Sequence, residues 1–243
     1  MLNSKSLSVV IPARYRSSRL PGKILSEIHG HPMIYWTYQR ACAAEIGDVI
    51  VAADDPKVYK VLEKYRIPFV ETSEFCKNGT ERIAEAAGYL TGSNFFINIQ
   101  ADEPLLNPQT VIDVFKSGLH EGCFKTAVSC ADSGDNTSEV KVAISNGDRI
   151  CYASRSAIPF SRDKDSIFFK IHGVYLYSRK TLEKFVSLDA GPLERLESVE
   201  QLRCIEHDIP LYAVKTTHTE RSVDTNQDLI YMQMKPKSDF YKY

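Results

Sequence analysis

Short apolar, β-branched runs alternate along the first half of the chain with segments whose apolar residues recur every three or four positions. That alternation predicts parallel strands joined by crossover helices. Leu7–Ala13 reads as the first strand, and a polar loop with Gly and Pro then runs through Lys23. Residues 32–45 place Ile34, Tyr38, Ala41 and Ala44 on one helical face, with Pro32 suited to the first turn. Asp48–Ala53 predicts a second strand, 56–65 a helix presenting Val58, Val61, Leu62 and Tyr65, 68–71 a short third strand and 80–90 another helix. Residues 94–100 are almost wholly apolar or β-prone, as in a central strand buried on both faces, and Asn107-Pro108 caps a helix ending near Gly118.

The second half changes period. Phe124–Cys130, 140–145, 149–153 and 172–177 read as strands separated by turn signals such as Ser145-Asn146-Gly147-Asp148, with helices returning at 180–187, 194–206 and 226–235. The expectation is one α/β domain over 1–243 with a mixed, mostly parallel sheet and helices on both faces. An antiparallel excursion, approximately 150–195, would serve acceptor binding and reach toward a second subunit. The tail 235–243 reads as either an ordered arm or a frayed end.

Composition narrows the function. Lys and Arg number 30 against 31 Asp and Glu, a net charge of -1 that argues against a nucleic-acid partner. No run of about 18 apolar residues predicts membrane insertion. Six cysteines lack any C-x-x-C pair, so buried free thiols are expected rather than a zinc site. Residues 1–7 carry no apolar signal core, which points to a cytoplasmic protein.

Candidate chemistry begins directly after the first strand. Arg14, Arg16, Arg19 and Lys23 crowd a loop where an open α/β sheet normally binds ligand. The loop is neither G-x-G-x-x-G nor a Walker A motif. Backbone amides with Arg and Lys suit a triphosphate, because they stabilise charge on the phosphoryl group and the departing diphosphate. The plainer reading is a solvated surface. Asp102 and Glu103 follow the central strand, where a carboxylate can hold magnesium; Asp102 otherwise forms a turn, and Asp224 otherwise caps the helix beginning at Asn226. Asn78 and Glu81, three residues apart, have a capping-box flavour.

Pro12-Ala13-Arg14-x-x-Ser17-Ser18-Arg19-Leu20-Pro21-Gly22-Lys23 resembles the signature loop of the 3-deoxy-manno-octulosonate (Kdo) cytidylyltransferases. Ala52-Ala53-Asp54-Asp55, Asn78-Gly79-Thr80-Glu81-Arg82, Gln100-Ala101-Asp102-Glu103-Pro104 and Ser222-Val223-Asp224-Thr225 are similar to four further motifs of that family, in the same order. The resemblance implies a Rossmann-like nucleotidyltransferase fold and transfer of CMP from CTP to the anomeric hydroxyl of a sugar acid. It implies Mg²⁺ on Asp102 and Asp224, with Arg14, Arg19, Lys23 and Asp102 catalytic. Nucleotide contacts fall to Pro12, Ala13, Arg14, Ala53, Asn78, Gly79, Thr80, Arg82 and Gln100. A cytoplasmic homodimer supplying activated Kdo for lipopolysaccharide is the implied setting.

The acceptor half matches the family less closely. Arg155, Ile158-Pro159-Phe160 and Arg162 resemble a segment flanking the sugar acid, with Phe160 standing where the family has Trp. Strand residues 170–177 resemble a family strand whose histidine lies one place earlier than His172, and one place in a strand is the opposite face. A bulge would let His172 reach the pocket; otherwise it is a structural residue. Glu194, Glu197 and Glu200 match a family helix and could accept hydrogen bonds from sugar hydroxyls, or form a solvated face with Arg203 as ion-pair partner. By resemblance Gln100, Arg155, Arg162, His172, Tyr175, Glu194, Glu197 and Glu200 are the acceptor set. An 8-amino Kdo analogue, a nonulosonic acid or a phosphonate stands as an alternative acceptor, a uridylyl- or guanylyltransferase as an alternative enzyme, and a non-catalytic nucleotide-binding protein as a third class.

Overall fold

Seven residues buried without interruption, as in strand β1 (Leu7–Ala13), fit only the interior of a sheet covered on both faces. The computed structural model, which describes residues 6–17, 20–131, 133–162, 167–218 and 221–241, places it there. A 3-10 turn at Lys23–Leu25, the two-residue strands β2 (Glu27–Ile28) and β3 (His31–Pro32) and helix α1 (Met33–Cys42) follow. Next come β4 (Asp48–Ala53), α2 (Pro56–Lys64), β5 (Phe69–Glu71), α3 (Gly79–Ala87), β6 (Phe95–Ile99) and α4 (Pro108–Lys116). The second half holds β7 (Phe124–Cys130), β8 (Lys141–Ile144), β9 (Ile150–Ser154), β10 (Phe169–Ser178), α5 (Arg179–Val186), α6 (Pro192–Glu197), α7 (Leu202–Glu206), β11 (Leu211–Lys215), α8 (Asn226–Met234) and α9 (Lys237–Phe240).

The main sheet runs β11-β7-β10-β6-β1-β4-β5. Neighbours are parallel except β10, which lies antiparallel between β6 and β7 and carries β8 and β9 as an antiparallel extension. Alternation along the strands builds two cores. Ile11, Val51 and Ile97 face one side with Ile34 of α1, Leu62 of α2 and Val111 of α4. Val10, Ala52 and Phe96 face the other with Ile83 of α3, Phe185 of α5 and Leu202 of α7. A third cluster gathers Met33 and Trp36 of α1, Ile28, Val223, Leu229 and Met232 of α8, and Phe240. It pins the C-terminal segment as an ordered arm through α9 and leads residues 223–224 back to the sheet.

The predicted strands of the first half hold to within two residues at either end, the longer ones because their runs are mostly buried. The second half departs more. β10 begins three residues before His172, and β11, which pairs parallel to β7 at the sheet edge, is a strand that the pattern analysis missed. Leu211 and Ala213 are buried and their neighbours less so, a short alternation that follows Pro210. The single helix expected over 194–206 is two, broken at Ser198, whose φ of 53° is left-handed. Such a backbone costs a non-glycine residue about 1–2 kcal/mol.

Candidate active site

From β1 the chain moves outward through β4 to β5, then returns across α3 to place β6 on the other side of β1. The strand order reverses between β1 and β6, and a crevice opens outside their carboxyl ends. A cleft of about 530 Å³ occupies that position. Pro12, Arg14, Ser17 and Lys23 line it from the first loop, and Asn78, Gly79 and Arg82 from the start of α3. Gln100, Ala101 and Asp102 follow β6; Arg155, Tyr175, Val199 and Glu200 form the far wall, and Asp224 closes it.

Pro12 and Arg14 share one strand face, whereas Ala13 points the other way into the core and is fully buried. Ala53 pairs with Ala13 at the strand ends and is buried likewise. Neither alanine lines the cleft, so their expected nucleotide contacts are not brought there by side chain. Arg19 lies outside the described residues. The loop closes through the Gly22 amide, which donates to Tyr15 O at 3.0 Å. Gly22 adopts φ 68°, and a Cβ there would press on the Tyr15 ring at 3.2 Å, so glycine is required where the chain turns into Lys23.

Lys23 then reaches the two distant carboxylates. Its ammonium donates to Asp102 Oδ2 at 2.5 Å, to Val223 O at 2.8 Å and to Asp224 Oδ1 at 3.3 Å. The Val223 amide donates to Asp102 O at 2.9 Å, tying the two stretches together by backbone as well. β6 ends at Ile99, so Asp102 stands three residues beyond the strand in the turn. Asp224 is not the helix cap: Thr225 caps α8 in a capping box with Asp228. Among the described residues no trio of His, Cys, Asp and Glu could hold a metal unaided. Two carboxylates already gathered around one cation do suit Mg²⁺, which keeps waters and takes substrate phosphate oxygens for its remaining ligands.

The wall at the start of α3 divides its labour. Asn78 caps α3 by accepting from the Glu81 amide at 2.8 Å and also lines the cleft, so the structural and binding readings coexist. Arg82 is 2 % exposed and committed: it donates to Asp54 Oδ2 at 2.8 Å, Thr72 Oγ1 at 2.7 Å and Ser73 O at 3.1 Å. Asp54 Oδ1 accepts from the Tyr15 amide at 2.9 Å, so this buried pair holds the root of the cationic loop. The Thr80 hydroxyl donates to Glu200 Oε1 at 3.0 Å rather than lining the cleft itself.

On the acceptor side β10 does bulge. Ile171 faces Val128 and Tyr175 faces Thr126, four positions on β10 against two on β7. The bulge presses Gly173 onto Gln100, where a Cβ would stand 2.8 Å from the Gln100 side chain, and the Gln100 amide donates to Gly173 O at 2.8 Å. His172 does not reach the cleft. It is 3 % exposed with Nε2 2.7 Å from Ser129 Oγ, and burial, then the Lys170 charge, lowers its pKa to about 4. Tyr175 lines the cleft, its hydroxyl pushed up by burial and then by the Glu200 charge.

Glu194 and Glu197 are spent within the protein. Glu194 accepts two bonds of 2.7 Å from Arg203, which is buried. Glu197 accepts from Ser154 Oγ at 2.6 Å and the Arg155 amide at 3.0 Å; burial raises its pKa, but these bonds and the Arg155 charge outweigh it and the net shift is downward. Arg155 lines the cleft yet spends donors on Glu197 O at 2.9 Å and Ser198 O at 3.3 Å, bracing the left-handed break. Arg162 is exposed and stands apart from the cleft. Glu200 remains. Its Oε2 is buried without a hydrogen-bond partner, and burial raises its pKa to about 7 despite the Thr80 bond. Sequence reasoning passed over Lys77 and Gln201, which also line the cleft; each adjoins a residue it did single out.

Comparison with known proteins gives the family and the fold. A family model described as cytidylyltransferase matches residues 8–216. The chain is 37% identical over 232 residues to 3-deoxy-manno-octulosonate cytidylyltransferase of Lawsonia intracellularis, covering 92% of this chain and 91% of that one. It is 37% identical over 235 residues to 8-amino-3,8-dideoxy-manno-octulosonate cytidylyltransferase of Shewanella pealeana, covering 92% and 96%. A solved structure of CMP:2-keto-3-deoxy-manno-octonic acid synthetase complexed with CTP superposes with a TM-score of 0.86 at 32% identity, covering 93% and 96%.

Proposed function

The chain belongs to the cytidylyltransferase family, and from that premise we propose that it transfers CMP from CTP to the anomeric hydroxyl of a 3-deoxy-manno-octulosonate-type sugar acid, releasing diphosphate. The observation that carries this is the meeting of Lys23, Asp102 and Asp224 at the switch point of the sheet. The whole chain acts as one catalytic domain, with the acceptor held by the second half.

Asp102 and Asp224 would hold Mg²⁺, which supplies charge neutralisation of the triphosphate when bound. Arg14, at the mouth of the cleft, places a guanidinium where phosphate oxygens enter. Arg19 has the same role by resemblance. Asn78 and Gln100 present amides to the pyrimidine and ribose, and Pro12 and Gly79 shape the floor between them, with the ideal Cβ of Gly79 3.2 Å from the Pro12 ring. Tyr175, Arg155 and Glu200 face the sugar acid from the opposite wall. The acceptor hydroxyl oxygen attacks the α-phosphorus of CTP in line with the departing diphosphate, and the new O–P bond forms as the α–β bridging P–O bond breaks. The hydroxyl proton passes to solvent and no covalent enzyme intermediate is needed, so catalysis is positioning and electrostatics. An 8-amino acceptor is the second reading. The bare Glu200 carboxylate oxygen favours it, because an ammonium is a stronger donor to that oxygen than a hydroxyl. We also read the working unit as a cytoplasmic homodimer, with exposed Phe160 and Leu196 supplying apolar surface in the acceptor half; sedimentation equilibrium tests it.

Diphosphate release from CTP, UTP and GTP with a panel of 2-keto-3-deoxy acids tests the reading. CTP with an eight-carbon 3-deoxy acid should turn over fastest. Tight CTP binding with no diphosphate from any acid would sink it in favour of a non-catalytic nucleotide-binding protein.

A further inference from the structure

A lysine ammonium has three N–H donors, and all three of Lys23 are taken by the protein: Asp102 Oδ2, Val223 O and Asp224 Oδ1. The side chain is 13% exposed and the two carboxylates 19% and 18%, so the charges meet in a partly desolvated pocket. Two carboxylates drawn together there repel unless a cation lies between them. The ammonium is that cation. Lys23 therefore cannot donate to a phosphate and keep its three protein bonds at once, and a divalent ion cannot take both carboxylates while the ammonium remains between them.

We propose that Lys23 is an internal counter-ion that keeps free divalent metal off Asp102 and Asp224 until nucleotide arrives, and that entry of the metal–triphosphate complex turns the ammonium from the carboxylates to the phosphates. The proposal rests on the assignment of those carboxylates as metal ligands. Every charge keeps a partner in the exchange: the metal replaces the ammonium between the acids, while the triphosphate brings the anion that receives it. Free metal offers the ammonium no such destination, so its displacement would leave a lysine charge without a partner in a partly buried site. Order of binding follows, with metal entering on the nucleotide and not ahead of it. The left-handed Gly22 and the turn bond from the Gly22 amide to Tyr15 O fix the lysine's root, so the movement falls to its flexible four-carbon stem.

Mn²⁺ binding followed by electron paramagnetic resonance, with and without CTP, tests this without any turnover. Wild type should bind Mn²⁺ tightly only when CTP is present, and Lys23→Met should gain metal affinity in the absence of CTP by about tenfold or more, since a repelling unit charge is gone. If wild type and Lys23→Met both bind Mn²⁺ with CTP but the variant gains nothing without it, the counter-ion role is overturned while the metal assignment stands. If neither binds Mn²⁺ with CTP, both fall. Anomalous diffraction from wild-type crystals covers the case of a poorly folded variant. Mn²⁺ alone should leave Lys23 between the carboxylates, and Mn²⁺ with CTP should show it on a phosphate oxygen. Metal seated between the acids without nucleotide, or an unmoved Lys23 in the complex, overturns the proposal.

Discussion

The two walls of the cleft use charge in opposite ways. On the nucleotide side, a cation and two anions from three distant stretches of the chain meet face to face in the cleft, and a separate buried pair, Arg82 with Asp54, braces the loop behind them. On the acceptor side the candidate charges are mostly consumed by one another: Glu194 by Arg203, Glu197 by Ser154 and Arg155, and the His172 ring against Ser129. Of the three glutamates, Glu200 keeps a buried carboxylate oxygen with no hydrogen bond beside the cleft. The same residue types at motif spacing thus gather at the ligand position in one wall and serve mostly as architecture in the other. Partners, not residue identity, decide which.

The comparison is sharpest where an effect should fall on activity alone or on stability alone. Asp102→Asn should lower kcat/KM for diphosphate release by about 10²–10³-fold, because the loss is of charge at the phosphoryl site, while the melting curve changes little. An active Asp102→Asn enzyme would remove the metal from that side. Arg203→Met should do the reverse. Breaking a buried pair strands Glu194 and costs about 3–5 kcal/mol in a denaturant titration, with kcat of the folded fraction kept within a few-fold.

Glu200→Gln falls between, and its signature is pH. The folded pKa of about 7 lies above the ordinary value of 4.5, so the wild type loses stability as pH rises from about 4.5 through 7, by up to about 3 kcal/mol. Glu200→Gln should flatten that slope, gaining on wild type above pH 7; parallel stability curves across this window would mean that Glu200 is ordinary. The smallest effect is expected from Arg162→Ala, which is exposed and stands apart from the cleft: a stability change within about 0.5 kcal/mol and a less than twofold rise in KM for the sugar acid. A tenfold rise would place Arg162 in the acceptor wall after all.

Much of the nucleotide wall was legible because its residues sit beside the strong strand pattern. A buried run such as β1, or β6 after its first residue, announces its own ends, and ligand-facing loops follow those ends in an open α/β sheet. Asp224 was harder. A neighbouring Thr-x-x-Asp suits a cap, and only the capping box of Thr225 with Asp228 frees Asp224 for the cleft. The acceptor wall was harder still, since the spacing of Glu194, Glu197 and Glu200 predicts one helix face. The left-handed turn at Ser198 splits that helix and sends Glu194 to Arg203 while Glu200 turns to Thr80 and the cleft.

The strands of the first half, the cationic loop after the first of them and, through motif resemblance, the class of chemistry were legible in the amino-acid sequence alone, because apolar runs, turn residues and motifs are short-range properties of the chain. The meeting of Lys23 with Asp102 and Asp224, the bulge that turns Gly173 rather than His172 toward Gln100, and the sorting of three glutamates into two structural and one lining the cleft were decided only in three dimensions. Pairings between residues up to about 200 positions apart follow from how the packed layers bring loops together, and no local pattern encodes that.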